Sequence, residues 1–259
     1  MFDLHAHILP GVDDGAETMD DAVEMARVAA KHGTSVILAT PHRRDVTENF
    51  SVPHIQGLAA DLSEELQRRS IDLEILIGME NHLDMELPEA FLTGQALPMN
   101  GSRYALVELP FFGYPDYTED VLFQLQLQGI TPVLAHPERI EAIQQNPELL
   151  AGFVDRGMLS QVTSGSIVGH FGGAVRKTTQ LLLKRGLIHI IASDTHFPEG
   201  RRSPKLPPGK EAAARIVGEE RARSMVVDTP RTVLDNLPVE VEPPQKVERP
   251  RRWWRFGHS

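Results

Sequence analysis

Short apolar runs recur along the chain and alternate with stretches of helical character. Most of the runs are rich in Leu and β-branched residues, as buried parallel strands tend to be. Strands that alternate with helices without a long break predict a parallel α/β domain. The seven runs are MFDLHAH (1–7), TSVILATPH (34–42), IDLEILIGMEN (71–81), YALVELP (104–110), ITPVLAHPE (130–138), LSQVTSG (159–165) and IHIIASDTH (188–196).

The segments between the runs carry helix start and stop signals. Thr18 is placed to cap a helix whose apolar face includes Ala22 and Met25 and which stops at Gly33. Seven β/α units predict one barrel-like domain over residues 1–238. Further signals are Asp116 and Glu119 with a stop at Gly129, Asn146-Pro147-Glu148 with a stop at Gly157, and a stop at Gly186.

Composition narrows the class of protein. The 259 residues include no cysteine, which excludes disulfides, thiolate metal sites and enzymes with a cysteine nucleophile. The net charge of -10 disfavours a general nucleic-acid surface, so we expect no nucleic-acid partner. No apolar run reaches the roughly 18 residues of a membrane span. Because the first strand leaves no room for a leader, we expect a cytoplasmic protein.

Six of the seven runs end in an imidazole or a carboxylate. Active sites of parallel α/β barrels lie at the carboxyl ends of the strands, so these side chains are expected to converge. The nine candidates are His5, His7 and Asp14 after the first run, His42, Glu80 and Glu108 after the next three, His136 after the fifth, and Asp194 and His196 after the seventh.

This donor set predicts a metal centre. Alternate residues of a strand share a face, so His5 points with His7, and Asp194 points with His196. Five imidazoles and four carboxylates without a thiolate suit Mn, Fe, Zn or Co. Nine ligands are too many for one ion, and a carboxylate such as Glu80 is placed to bridge two ions about 3.5–4 Å apart. One His-x-His pair alone would be weak support.

The same motifs carry a family resemblance. DLHAHILPGVDDG, ATPH, GMEN, VELP, LAHPER and ASDTH resemble, in order and spacing, the motif series of the polymerase and histidinol phosphatase (PHP) superfamily. HILPGVDDGA, GHFG and the ligand spacing are most similar to its bacterial branch of manganese-dependent protein-tyrosine phosphatases from capsule and exopolysaccharide operons. The resemblance covers about residues 1–235 and implies a distorted seven-stranded parallel (β/α)7 barrel.

The resemblance also implies three divalent ions, manganese above all, at the carboxyl ends of the strands. The implied ligands are His5, His7, Glu80 and Asp194 for the first ion, Glu80, Glu108 and His136 for the second, and Asp14, His42 and His196 for the third. Two arginines complete the implied site. Arg139 in HPER fits one, and Arg201 fits the other by spacing, with the adjacent Arg202 as the alternative. The Pro- and Lys-rich loop FPEGRRSPKLPPGK departs from the family pattern at this point.

The implied activity is metal-dependent hydrolysis of protein phosphotyrosine by a water that the ions activate, with the arginines gripping phosphoryl oxygens. The implied protein partner is a membrane-associated bacterial tyrosine kinase that controls capsule synthesis. One alternative is another phosphoesterase of the superfamily, either a small-molecule phosphatase or an exonuclease. A second is a non-catalytic regulator of the polysaccharide machinery, which the complete set of ligand positions disfavours. No general acid is assigned.

Two aromatic segments remain open to interpretation. Phe111, Phe112, Tyr114 and Tyr117 follow the fourth run and either line the site and stack on a tyrosine ring or pack in the core. The tail, 239–259, is rich in Pro, Arg and Trp, and we expect it to be flexible. Its arginines and tryptophans would also suit contact with an anionic membrane surface.

Overall fold

The computed structural model describes residues 1–241; most of the tail predicted to be flexible therefore lies outside the described residues. The described part is a mixed α/β fold with parallel sheets. Its strands are β1 (Phe2–Ala6), β2 (Val36–Ala39), β3 (Glu74–Ile77), β4 (Glu80–His82), β5 (Tyr104–Glu108), β6 (Thr131–Ala135), β7 (Leu159–Thr163) and β8 (Ile190–Ala192).

Helices connect the strands and cover the sheets, with short 3-10 turns at Met99–Gly101 and Pro137–Arg139. The helices are α1 (Met19–Lys31), α2 (Arg43–Asn49), α3 (Val52–Arg68), α4 (Leu87–Leu92), α5 (Thr118–Leu127), α6 (Glu141–Gln145), α7 (Glu148–Asp155), α8 (Ser164–Val168), α9 (Gly173–Lys184), α10 (Pro207–Val217), α11 (Glu219–Ser224) and α12 (Asp228–Leu234).

The strands form two sheets and not the closed seven-stranded barrel expected from the sequence. One sheet has the order β1-β2-β3 and the other the order β4-β5-β6-β7-β8, with every pair parallel. The third apolar run splits into two strands at Gly78, where a Cβ would lie 3.1 Å from the carbonyl oxygen of Pro98. Within residues 1–241, the two sheets are joined by single bridges, from Ala6 to Thr195 and from His42 to Glu80.

The helix signals predicted starts less reliably than stops. Thr18 caps α1 with its side chain in a capping box, as predicted. The cap predicted at Asp116 is wrong by one residue, since Tyr117 precedes the first turn of α5. Pro115 accepts hydrogen bonds there from the backbone and hydroxyl of Thr118. The start signal Asn146-Pro147-Glu148 is confirmed, since α7 begins at Glu148 with Pro147 before it. Within residues 1–241, no helix has the length and apolar character that crossing a bilayer requires.

An apolar cluster with members from six strands supports the end of the molecule where the candidate ligands lie. Glu108 and Gln161 follow Leu106 and Leu159 by two positions on their strands, so polar side chains continue the same faces beyond the core. The strand residues of this cluster are Leu4, Leu38, Tyr104, Leu106, Val133, Ala135, Leu159 and Ile190.

Candidate metal centre

Most predicted ligands lie at or beyond the carboxyl ends of the strands, whereas Glu80 is the first residue of β4, three positions after the end of β3. His5 belongs to β1, His136 follows β6 directly, and both side chains are almost fully buried. His136 and Asp194 have left-handed backbone conformations, with φ of 31° and 52°. Residues other than glycine rarely adopt such angles, and those that do cluster at functional sites. At these two positions the backbone turns sharply as the strand ends.

His5, His7, Glu80 and Asp194 form the first group of predicted ligands. The Nε2 atoms of His5 and His7 lie 3.2 Å apart, and they lie 3.3 and 3.4 Å from the two oxygens of Glu80. Oδ1 of Asp194 lies 3.6 Å from each nitrogen. Four ligand atoms about 2.1 Å from one ion would be about 3.4 Å apart in a tetrahedron. The separations among His5, His7 and Glu80 therefore fit a single ion, and Asp194 adjoins the two histidines of this group.

Two buried hydrogen bonds orient the imidazoles of this group. Nδ1 of His5 donates to Oε1 of Gln161 at 2.8 Å, and Nδ1 of His7 donates to Oδ2 of Asp13 at 2.7 Å. With Nδ1 as the donor, Nε2 is the atom of each neutral imidazole that is left to bind a cation, and the two Nε2 atoms face one another. The sequence analysis missed both acceptors. Gln161 could have been predicted from the alternation of side chains along β7, which places it on the face that carries Leu159. Asp13 is adjacent in sequence to the predicted ligand Asp14.

Glu80 is the centre of the second group. Its Oε1 lies 3.0 Å from Nε2 of His136, and its Oε2 lies 3.0 Å from Nδ1 of His42. Glu108 approaches the same nitrogen of His136 at 3.4 Å. Oε1 of Glu80 therefore lies near His5 and His136, and Oε2 lies near His7 and His42, so this carboxylate adjoins all three groups.

Asp14, His42 and His196 form the third group, on the open side of the cluster. Oδ1 of Asp14 lies 3.0 Å from Nε2 of His196 and 3.5 Å from Nε2 of His42. The side chain of Asp14 is 61% exposed, whereas those of Glu80 and Asp194 are 1% exposed. His7 also offers an atom to this group. Seven of the nine predicted ligands thus fall into three overlapping groups. The other two adjoin them, with His136 3.0 Å from Glu80 and Asp194 3.6 Å from His5 and His7.

Carboxylates dominate the electrostatics of the cluster. Burial disfavours a charged His7, but Asp13 and Glu80 outweigh burial and raise the pKa of His7 to about 9. Burial also raises the pKa of Asp194, yet the charges of His5, Arg202, His136 and His7 together outweigh this effect and hold that pKa well below its usual range. Ionised carboxylates around imidazoles that readily accept positive charge make a site for cations.

Two arginines border the cluster, and one of them is not the arginine preferred from spacing. Nη1 of Arg139 donates to Oδ2 of Asp194 at 2.7 Å. Nη2 of Arg202 donates to Oδ1 of the same carboxylate at 2.8 Å. Arg201 is exposed, and its carbonyl oxygen accepts a hydrogen bond from His170. The structure places Arg202, the alternative, beside the cluster.

Aromatic rings surround the guanidinium of Arg139. Its central carbon lies 4.9 Å from the centre of the Phe111 ring and 4.8 Å from that of Phe171, within cation–π range. Phe111 also stacks on His136, with ring centres 5.4 Å apart and an angle of 11° between the planes. The sequence allowed two roles for four aromatic residues, either lining the site or packing in the core. Of these four, Phe111 contacts the site directly and Phe112 is 83% exposed.

A cleft of about 400 Å³ adjoins the cluster. Its lining includes two predicted ligands, His42 and Glu108, together with Leu83, Leu109, Phe111 and Tyr117. The volume is within the range of small-molecule sites. Tyr117 therefore lines an opening beside the candidate metal centre. Tyr117 and Tyr114 both also pack against the core.

Comparison with known proteins agrees with these features. A model of the CpsB/CapC family, described as capsular polysaccharide synthesis, matches residues 1–235. Tyrosine-protein phosphatase YwqE of Bacillus subtilis is 35% identical over 252 residues, which cover 96% of this chain and 97% of that protein. Tyrosine-protein phosphatase CpsB of Streptococcus pneumoniae is 27% identical over 248 residues, covering 90% and 98%.

A solved structure matches the fold closely. It comes from a study of YwqE from Bacillus subtilis and CpsB from Streptococcus pneumoniae, described as unique metal-dependent tyrosine phosphatases. The TM-score is 0.88 at 36% sequence identity, and the match covers 96% of this chain and all of that chain. The match of the family model over most of the chain, together with this agreement in fold, shows that the protein belongs to the CpsB/CapC family of capsular polysaccharide synthesis.

Proposed function

We propose that the chain is a metal-dependent phosphatase that removes phosphate from phosphotyrosine in a protein. The observation that carries the proposal is the convergence of seven imidazole and carboxylate side chains in overlapping groups, with His136 and Asp194 within 3.6 Å of their members. Arg139 and Arg202 lie at the edge of the same cluster. Cation ligands beside two guanidinium groups suit the negative charge of a phosphate ester. The names of the relatives, which are tyrosine-protein phosphatases, support the same substrate class.

The proposed cofactor is a set of three divalent ions, with manganese as the preferred metal and Fe, Zn or Co as alternatives. When bound, such ions acidify a water molecule and neutralise phosphoryl oxygens. The separations of 3.0–3.6 Å within the groups support the following assignment. We assign His5, His7, Glu80 and Asp194 to the first ion, Glu80, Glu108 and His136 to the second, and Asp14, His42 and His196 to the third.

Arg139 and Arg202 are proposed to hold the phosphoryl group. Each donates one N–H to Asp194, at 2.7 and 2.8 Å, and each guanidinium has further donors in a planar fork. Asp194 therefore orients both arginines toward the same region, where they can share the non-bridging oxygens of one phosphate. Tyrosine has a pKa of about 10, so its phenolate leaves more easily than an alkoxide and depends less on a general acid.

The proposed protein substrate is a membrane-associated bacterial tyrosine kinase of the capsule machinery, reached from the cytoplasm. The description of the family as one of capsular polysaccharide synthesis supports a role in capsule synthesis. The sequence resemblance supports a tyrosine kinase as the substrate. Residues 1–238 are proposed as one catalytic domain. Membrane contact through the arginines and tryptophans of the tail belongs to the same proposal.

The test is phosphate release by metal-stripped protein refilled with Mn, Fe, Zn, Co or Mg. Substrates are a phosphotyrosine peptide and a matched phosphoserine peptide. His136→Ala removes a ligand of the second group, and His54→Ala replaces an exposed histidine outside the cluster. We expect metal-restored release from phosphotyrosine that His136→Ala abolishes and His54→Ala retains. Elemental analysis should find about three ions per chain at saturation.

Two results would contradict the proposal. Tight binding of metal without release from either peptide would leave a metal protein of another activity, and nucleic-acid or sugar-phosphate substrates would then be tried. Equal metal content and equal release in the wild type and His136→Ala would remove the assigned centre from the reaction.

A further inference from the structure

The cleft beside the candidate metal centre follows from two neighbouring strands. His82 of β4 is in register with Glu108 of β5, and the backbone N–H of Leu83 donates to the carbonyl of Glu108 at 2.8 Å. Leu83 and Leu109, the residues after each strand, are 4% and 3% exposed, and both line the cleft. Leu83 and Leu109 therefore extend β4 and β5 by one residue each and together form an apolar surface at the base of the cleft, called the leucine floor below.

The cleft is polar where it meets the metal centre. His42 and Glu108, which we assign to different ions, line it together with the half-buried rings of Phe111 and Tyr117. The combination of ligand side chains and apolar walls matches a molecule with a charged head and a flat apolar body. The head of such a molecule would lie at the ions and its body along the leucine floor.

Another acidic side chain in the lining has its charge compensated. Asp84 lies 2.5 Å from Nη2 of Arg43 and 2.7 Å from Nε2 of His82, and Arg43 is buried. A carboxylate paired with a buried guanidinium adds little net negative charge to its surroundings. This wall of the cleft is therefore compatible with an electron-rich ring.

Phe111 connects the cleft to the arginine that we propose holds the phosphate. The same ring lines the cleft, stacks on His136 and lies 4.9 Å from the guanidinium carbon of Arg139. The backbone carbonyl of Phe111 accepts a hydrogen bond from the N–H of Glu141, which anchors the loop. A phosphate at Arg139 would therefore have its ester arm directed along the ring of Phe111.

We propose that this cleft is the subsite for the aromatic ring of an aryl phosphate monoester, as in phosphotyrosine of a protein, and that Tyr117 determines the preference for it. The inference rests on the proposed function. A phosphoserine side chain attaches its phosphate through one methylene group and would leave the leucine floor uncovered. The cleft therefore favours aryl over alkyl esters.

The experiment compares three variants of the metal-loaded protein on three substrates. Tyr117→Ala removes the ring, Tyr117→Phe keeps it, and Phe112→Ala removes an exposed ring of the same loop that does not line the cleft. The substrates are a phosphotyrosine peptide, phenyl phosphate and ethyl phosphate. We expect Tyr117→Ala to lower kcat/KM roughly tenfold for both aryl substrates, mainly through KM, because one aromatic wall is lost. Ethyl phosphate should react unchanged, and the other two variants should resemble the wild type.

The outcomes separate the two proposals. An unchanged aryl-to-alkyl ratio in Tyr117→Ala, with active wild type, would overturn the subsite and leave the proposed function intact. A loss confined to phenyl phosphate would overturn the assignment for a protein substrate, since the peptide's ring would then lie elsewhere. Wild-type protein that hydrolyses none of the substrates would overturn both.

Discussion

Replacement of Phe171 by leucine tests how Arg139 is held in place. Phe171 lies in the GHFG segment, and its ring centre is 4.8 Å from the guanidinium carbon of Arg139. The segment lies so close to α8 that a Cβ on Gly165 would come within 3.1 Å of the Phe171 ring. Leucine keeps an apolar side chain at this position but has no π face, so the change removes the contact with the cation while retaining apolar packing.

The expected loss of phosphate affinity in Phe171→Leu follows from the burial of Arg139, whose side chain is 17% exposed. Cation–π pairs contribute about 0.5–1 kcal/mol at exposed sites and about 2 kcal/mol when desolvated. Loss of the ring should therefore cost the largely buried guanidinium about 1–2 kcal/mol of cation–π stabilisation. At about 1.4 kcal/mol per decade, this corresponds to a roughly five- to thirtyfold fall in the affinity for phosphate. Because Phe171 acts through Arg139, the loss should appear in KM and in the inhibition constant of inorganic phosphate.

The assay is steady-state kinetics of the metal-loaded protein on a phosphotyrosine peptide, with inhibition by inorganic phosphate measured in parallel. Phe171→Tyr keeps the ring and should behave as the wild type. In an Arg139→Gln background, Phe171→Leu should change the phosphate inhibition constant by less than about twofold, because the shared interaction is already lost. Full additivity of the two changes would refute a role through Arg139.

Asp13→Asn weakens the acceptor that orients a metal-facing imidazole, so metal affinity should fall about 10- to 100-fold; unchanged affinity in titration calorimetry would contradict this. Arg202→Gln should lower kcat/KM for a phosphotyrosine peptide about 100-fold and Arg201→Gln less than about twofold, and the reverse order would restore the arginine preferred from spacing. His189→Asn should make the metal-stripped fold less sensitive to acid. Burial lowers the pKa of His189 to about 4, and its Nδ1 accepts the N–H of Ser160. The unfolded chain takes up this proton near pH 6.5, so the wild type should lose up to about 3 kcal/mol relative to the variant as pH falls from about 6.5 to about 4. Identical pH profiles of the free energy of unfolding would exclude this.

The candidate ligands were predictable because the carboxyl ends of parallel strands lie at the same edge of a sheet. Once His5 and Asp194 were recognised at the ends of parallel strands, the topology alone brought them together, and the observed approach of 3.6 Å needs no information from the loops. The start of α1 was predictable for a similar reason, since the capping box of Thr18 is a local interaction. Both signals depend on residues that are close in sequence or fixed by a regular sheet.

The loop features could not be read in the same way. Arg202 faces the cluster because its carbonyl accepts hydrogen bonds from the hydroxyl of Thr195 and the backbone N–H of His196, which folds the loop back on the strand end. Spacing alone cannot separate Arg201 from Arg202, since a loop has no period. The split of the third strand at Gly78 likewise depends on the distant backbone of Pro98. Such contacts exist only in the folded chain.

The left-handed backbone at His136 and Asp194 limits how the centre can be re-engineered. Among residues with side chains, Asn, Asp and His enter this region most readily, whereas β-branched and bulky residues are outliers there. A new donor at these two positions must satisfy the ion and the backbone together, so a glutamate would add strain to any change of metal preference. Glu80 and Glu108 lie on regular strands and carry no such restriction. Attempts to alter metal selectivity should therefore begin with these two carboxylates.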